Sequence, residues 1–241
     1  MGLFDKKICD ICGEKIGLLG NRKLDDGNLC KNCARKLSPW FEERRNSTVE
    51  DIKRQLEYRE KNKKAVMDFC ITRQINTRNY TVFIDDHKNN FTVARKLDVS
   101  ENPDIVPLSA VVQCRVEVDR QQNEETYTKD GKTVSYQPPV YNYEFDYTMR
   151  IRVNTPWFDD MDFRLNTFSI SSERRAELME VEQTGYQIIA ALTPNAAGMQ
   201  PGMAGMNMNE GMQPEGSSWK CQCGAENTGR FCEYCGMQRP F

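Results

Sequence analysis

The chain has 241 residues, 39% hydrophobic and 28% charged, with a formal net charge of −2. That length holds one sizeable core with small satellites, and no run approaches the roughly 20 apolar residues of a membrane span. The charge balance is not that of a general nucleic-acid binder. The opening "MGLFDKKICD" has no apolar leader segment, so a cytoplasmic, reducing setting is expected; there, ten cysteines point to metal rather than disulfides.

Residues 1–45 form the first unit. Cys9-x-x-Cys12 and Cys30-x-x-Cys33 are separated by seventeen residues, inside the window for a four-cysteine zinc site. Asp26-Gly27 supplies a tight turn before the second pair, and "CARKLSPWF" reads as a short helix stopping before Pro39. Knuckle, hairpin, then knuckle with helix is a treble-clef-like arrangement. Gly13 follows Cys12, where the backbone must bend around a metal.

Residues 46–69 read as a connecting helix, at about 48–68. Ser47-x-x-Glu50 has the form of a capping box, and Val49, Ile52, Leu56 and Val66 share one face. Arg59 and Lys63 interrupt that face, so the helix is expected to pack at its ends and be solvated in the middle.

Residues 70–193 read as a β domain closed by a helix. "YTVFI" and "FTVAR" flank the polar loop "DDHKNN" as a hairpin. In "AVVQCRVEVD" and "YNYEFDYTMRIRV" apolar and polar residues alternate; the second is a long strand with Tyr141, Tyr143, Phe145, Tyr147, Met149, Ile151 and Val153 on its buried face. Asp130-Gly131 marks a further hairpin, and "MDFRLN" a further strand. A helix starting near Ser172 puts Leu178, Val181, Ile188 and Leu192 roughly on one side. A curved antiparallel sheet with one closing helix resembles the pleckstrin-homology-like (PH-like) layout; a generic α+β domain is the alternative.

Residues 194–218, rich in Met, Gly, Pro and Asn, are expected to be a flexible linker. Their five methionines are irregularly spaced and have no nearby His or spare Cys, against a Cu(I) role. Residues 219–241 contain Cys221-x-Cys223 and Cys232-x-x-Cys235, eight residues apart, a minimal zinc ribbon with Gly224 and Gly236 after its pairs. A segment so small takes most of its folding free energy from metal.

Two Zn²⁺ ions are therefore expected, one on Cys9, Cys12, Cys30 and Cys33, the other on Cys221, Cys223, Cys232 and Cys235. A filled four-thiolate shell leaves no open position, so both are structural; iron is the alternative metal. Eight thiolates and two dications would take the net charge to −6.

The stretch "ICDICGEKIGLLGNRKLDDGNLCKNCARKLSPWF" with "STVEDIKRQLEYRE" resembles an uncharacterised bacterial family whose members begin with a four-cysteine domain of unknown function. The closing "WKCQCGAENTGRFCEYCG" is similar to zinc ribbons that end SPFH-type or virion-core-like bacterial proteins. Neither resemblance implies an activity.

No catalytic residue is expected. Of the remaining reactive groups, His87, the one histidine, lies in a polar loop, and Cys114 sits on an apolar strand face as a small core residue. No GxSxG, P-loop, GxGxxG or HExxH pattern is present. Arg73, Arg78, Lys88, Arg95 and Lys96 are interspersed with Asp85, Asp86 and Asp98, which argues against a lipid-headgroup patch on the β domain. The composition fits a non-enzymatic zinc-binding adaptor that contacts protein partners through its zinc modules and a sheet edge. The rival readings are nucleic-acid binding through the zinc modules and, behind it, lipid binding by a PH-like β domain or thiol redox chemistry. Residues 1–45 hold ten Lys/Arg against seven Asp/Glu, a formal +3 that zinc and four thiolates lower to about +1.

Overall fold

The computed structural model describes residues 7–193, together with the backbone of 219–220 and 226–227. Residues 7–193 lie in one compact unit of mixed α and β structure. Its first elements are the two-residue strands β1 (Arg22–Lys23) and β2 (Asn28–Leu29), paired antiparallel, and the single-turn helix α1 (Lys31–Ala34). A 3₁₀ turn at Glu43–Asn46 leads into the long helix α2 (Val49–Met67).

The capping box of α2 lies one residue beyond the predicted Ser47/Glu50 pair. Thr48 is the N-cap: its hydroxyl accepts from the Asp51 N–H at 3.2 Å, while the Asp51 carboxylate accepts from the Thr48 N–H at 3.0 Å. These bonds from Thr48, with Arg54 alongside, hold the Asp51 carboxyl below its usual range. Asp26, in the β1–β2 turn, adds a third cap by accepting from the Val49 N–H at 2.7 Å. The hairpin therefore orients the helix that follows it.

The middle of α2 is not solvated as expected. Gln55, Arg59 and Asn62 are all buried. The Arg59 guanidinium donates to the Asp104 carboxylate at 2.5 Å, to the Lys36 carbonyl at 3.2 Å and to the Asn102 carbonyl. Ser38 donates to the other Asp104 oxygen at 2.8 Å. Asn62 donates to Asn102 and Pro103 and accepts the Ile105 N–H. Counting apolar positions missed this face because its packing is polar.

The β domain begins with β3 (Arg73–Asn76), β4 (Thr81–Asp85), β5 (Asn90–Ala94) and β6 (Val106–Pro107), an antiparallel sheet in chain order. The second sheet centres on a long hairpin, β7 (Val111–Glu124) and β10 (Tyr141–Val153), whose far end carries β8 (Thr126–Lys129) and β9 (Lys132–Ser135). The short strands β11 (Phe163–Arg164) and β12 (Ile170–Ser171) pair with the other edge of β10. At the β8–β9 turn Asp130 and Gly131 have φ of 52° and 74°, the left-handed pair that a two-residue hairpin loop requires.

Helix α3 (Arg175–Leu192) packs against β7 and β3, one strand from each sheet. One core joins the layers: Val82, Ile84 and Phe91 from the first sheet, Tyr147, Met149 and Ile151 from β10, and Val181, Ile188 and Leu192 from α3. Met161, Phe163 and Leu165 are buried as the alternation predicts, although only Phe163–Arg164 is strand. Gly185 lets α3 approach β7, since a Cβ there would stand 2.5 Å from the Val116 Cγ2. The second unit is described only by β13 (Trp219–Lys220) and β14 (Glu226–Asn227), which pair antiparallel.

Two variants test these contacts. Asp104→Ala leaves Arg59 buried without its counter-charge and should cost about 3–5 kcal/mol in urea unfolding, while Arg59→Met/Asp104→Leu should recover much of that loss. Gly185→Ala, which improves intrinsic helix propensity by about 1 kcal/mol, should nonetheless lower stability, by about 1–3 kcal/mol net, because Val116 must move.

Candidate metal centre

The first knuckle is closed by the Gly13 N–H donating to the Cys9 carbonyl at 2.8 Å, with Gly13 at φ 73°. That left-handed conformation strains any residue with a Cβ. The second pair sits at the start of α1: Cys30 is the N-cap, and its sulfur accepts from the Cys33 N–H at 3.3 Å. The Cys30 N–H in turn donates to the Cys9 sulfur at 3.2 Å. Backbone amides thus converge on the sulfurs, the arrangement that stabilises thiolates.

The four sulfurs of Cys9, Cys12, Cys30 and Cys33 lie within 4.8 Å of one another. Those of Cys12 and Cys30 are 3.7 Å apart, far beyond a disulfide bond of about 2.05 Å. A tetrahedron with Zn–S bonds of about 2.3 Å has edges of about 3.8 Å, so the spacing suits Zn²⁺. Cys9, Cys30 and Cys33 are buried and Cys12 is exposed.

Ionisation is uneven across the cluster. Burial opposes charge on Cys9, but the N–H groups of Cys12, Cys30 and Ile11 outweigh it and bring the thiol down to about 7. Burial, reinforced by the thiols of Cys12 and Cys30, pushes Cys33 far up. Four crowded thiols resist becoming four anions unless a cation sits among them. With all four as ligands, a bound ion would have no vacant position for substrate or water, the coordination of a structural site.

The surroundings hold the cluster rigid. Ile16, Leu24, Leu29, Leu37 and Ile52 form a small core with the cysteines, the last contributed by α2. Sequence reasoning passed over Asp10, between the first two ligands. Its carboxylate accepts from the Asn28 N–H at 2.6 Å, and its own N–H donates to the Asn28 carbonyl at 2.9 Å, tying the first knuckle to β2. Gly27 is required for close approach, since a Cβ would stand 2.6 Å from Val49 and 2.8 Å from Asp10.

Among the described residues this is the one cluster of metal-ligating side chains. Cys221, Cys223, Cys232 and Cys235, with the linker, lie outside the described residues. His87 is exposed, and its backbone N–H donates to the Asp85 carboxylate that shapes the turn. Cys114 packs 3.5 Å from the Met149 sulfur, and burial pushes its thiol up to about 12. The basic residues of the β domain are largely engaged: Arg73 with Asp86, Lys96 with Asp98, Lys88 with the Asp68 carbonyl, and Arg95 over the Tyr80 ring.

Residues 7–55 match a family model described as a domain of unknown function (DUF4428), which agrees with the N-terminal resemblance. The match spans the cysteine cluster and ends within α2, just past Ile52, the helix residue buried against the module. No curated protein and no solved structure matches the chain.

Elemental analysis tests the site. Purified protein should contain zinc, and Cys30→Ser/Cys33→Ser should lose one equivalent. Chelation should unfold the module while leaving the two-sheet core, which contains none of the four cysteines, with its own thermal transition. Unchanged zinc in that variant would refute the assignment.

Proposed function

We propose that the protein is a non-catalytic adaptor built on structural zinc, cytoplasmic in setting, which binds protein partners along the free part of its β hairpin. The zinc-binding module at its N-terminus is read as treble-clef-like, and the segment around Cys221, Cys223, Cys232 and Cys235 as a second zinc module, a ribbon. Two facing antiparallel sheets with α3 between their edges support a PH-like reading of the β domain.

The observation that carries the proposal is the hairpin. The strand β10 was expected to be half-buried throughout, but burial stops near Tyr147; Tyr143 and Phe145 are half-buried and Tyr141 is 44% exposed. From the Tyr143–Gln122 pair to the Asp130–Gly131 turn, an extended hairpin reaches up to about 25 Å. Tyr127, Tyr136 and Val140 are also exposed there, with the two tyrosine rings 5.0 Å apart. Exposed tyrosines are enriched at binding surfaces because they combine apolar area with a polar tip. In addition, β7 pairs with β10 alone, leaving its other edge open for strand addition. The opposite face of the hairpin is polar and carries paired charges, Arg150 with Glu117 among them.

The test is a shortened hairpin in which an Asn-Gly turn joins Gln121 to Glu144, residues already paired in register. Zinc content and the thermal midpoint should stay close to those of the parent. Partners cross-linked in cells to the parent should be lost. Their undiminished recovery would overturn the proposal.

A further inference from the structure

The β1 side of the zinc module carries a charged cleft that neither the metal nor the hairpin explains. Its volume is about 600 Å³, and Arg22, Lys23, Arg44 and Arg45 line it together with Asp25. Arg22 and Lys23 belong to β1, whereas Arg44 and Arg45 come from the 3₁₀ turn twenty residues later. The Arg44 guanidinium donates to the Lys23 carbonyl at 2.8 Å, which locks the two segments together. Among the described residues, none of these four cations lies within 4.0 Å of a carboxylate. Partial burial, with the charges of Arg22 and Arg45, holds the Arg44 guanidinium below its ordinary range. Four cations against the one carboxylate of Asp25, none of them in an ion pair, leave a local excess of positive charge that is complementary to an anion.

Beside this cleft is an apolar tip. Leu18 and Leu19 are each 90% exposed, the most exposed large apolar side chains among the described residues. They sit on a tight turn between Gly17 and Gly20, closed by the Gly20 N–H donating to the Gly17 carbonyl at 2.9 Å. The Arg22 guanidinium reaches back to the Leu19 carbonyl at 3.4 Å, so tip and cleft are contiguous. Nucleic acid would engage the cations but has no use for two solvated leucines; single-stranded binders offer aromatic faces for stacking instead. An anionic bilayer matches both features, with headgroup phosphates for the cations and the acyl boundary for the leucines.

We propose that the N-terminal zinc module seats on anionic membrane surfaces, Leu18 and Leu19 entering the interface while Arg22, Lys23, Arg44 and Arg45 face the lipid phosphates. The contact is peripheral: no described helix is long and apolar enough to cross a membrane. It is separate from the hairpin surface and does not depend on it. The metal's part is to hold the turn and the two cationic segments in one rigid frame.

Sedimentation of the full, zinc-loaded chain with vesicles tests this, comparing pure phosphatidylcholine with phosphatidylcholine containing about one-third phosphatidylglycerol. Binding should require the anionic lipid and weaken as salt is raised. Lys23→Gln/Arg45→Gln, at two exposed positions, should reduce it roughly thirty-fold at low salt. Leu18→Ser/Leu19→Ser should reduce it at least about ten-fold at any salt. Zinc content and the thermal midpoint of both variants should match the parent, since neither pair is buried. Three results would each overturn the proposal: no binding to anionic vesicles, full binding by the leucine variant, or binding to a single-stranded RNA oligonucleotide that displaces the protein from vesicles and survives loss of the leucines.

Discussion

The buried pair Arg59–Asp104 is the constraint on which the rest of the described unit depends. Arg59 comes from α2, Asp104 from the loop between β5 and β6, and Ser38 and the Lys36 carbonyl from the segment that follows α1 in the N-terminal module. One guanidinium therefore joins three parts of the chain. Burial pushes the Asp104 carboxyl up, against the pull of Arg59 and Ser38. That opposition marks the general character of such a pair: desolvation consumes most of the attraction, and net stabilisation is small. What the cluster adds is specificity, because only one placement of loop, helix and module satisfies all of its donors and acceptors. Aromatic packing extends the junction, with Trp40 against Tyr80 at 6.1 Å and Tyr80 against Phe163 at 5.4 Å.

The N-terminal module and the β domain have cores of very different size. The module has a core of a few side chains around the cysteines, too small to offset the ordering entropy of its loops unaided. The β domain has a continuous core drawn from two sheets and α3, and none of the four clustered cysteines belongs to it. Helix α2 belongs to both, with Ile52 in the first core and Arg59 and Asn62 bound to the loop of the second. Loss of metal would loosen the first half of this helix while the second half stayed anchored.

Two surfaces remain once folding is accounted for. The hairpin presents aromatic side chains and an open strand edge, features suited to a polypeptide. The module presents cations without counter-charges beside two solvated leucines, features suited to an anionic, amphipathic surface. The hairpin surface rests on paired strands, and the module surface on two segments joined by the Arg44–Lys23 hydrogen bond.

Much of this was legible along the chain because it rests on local chemistry. Cysteine spacing identifies the metal site, since two short knuckles can each occupy half of a tetrahedral shell. Alternation identifies β7 and β10, and Asp130-Gly131 their connection, since side-chain direction and left-handed turns are properties of adjacent residues. The failures share a different cause. Arg59 reads as solvent-facing until Asp104, forty-five positions away, is brought against it. The alternation of "YNYEFDYTMRIRV" is uniform, but a period of two states only that its odd residues share a face; whether that face meets a core depends on how far the opposing sheet and α3 extend. The cationic cleft likewise combines residues of β1 and a later turn that are unremarkable apart. Sequence alone determined which residues could bind metal, turn or alternate; tertiary packing decided which charges are buried with a partner, which are left without one, and where burial ends.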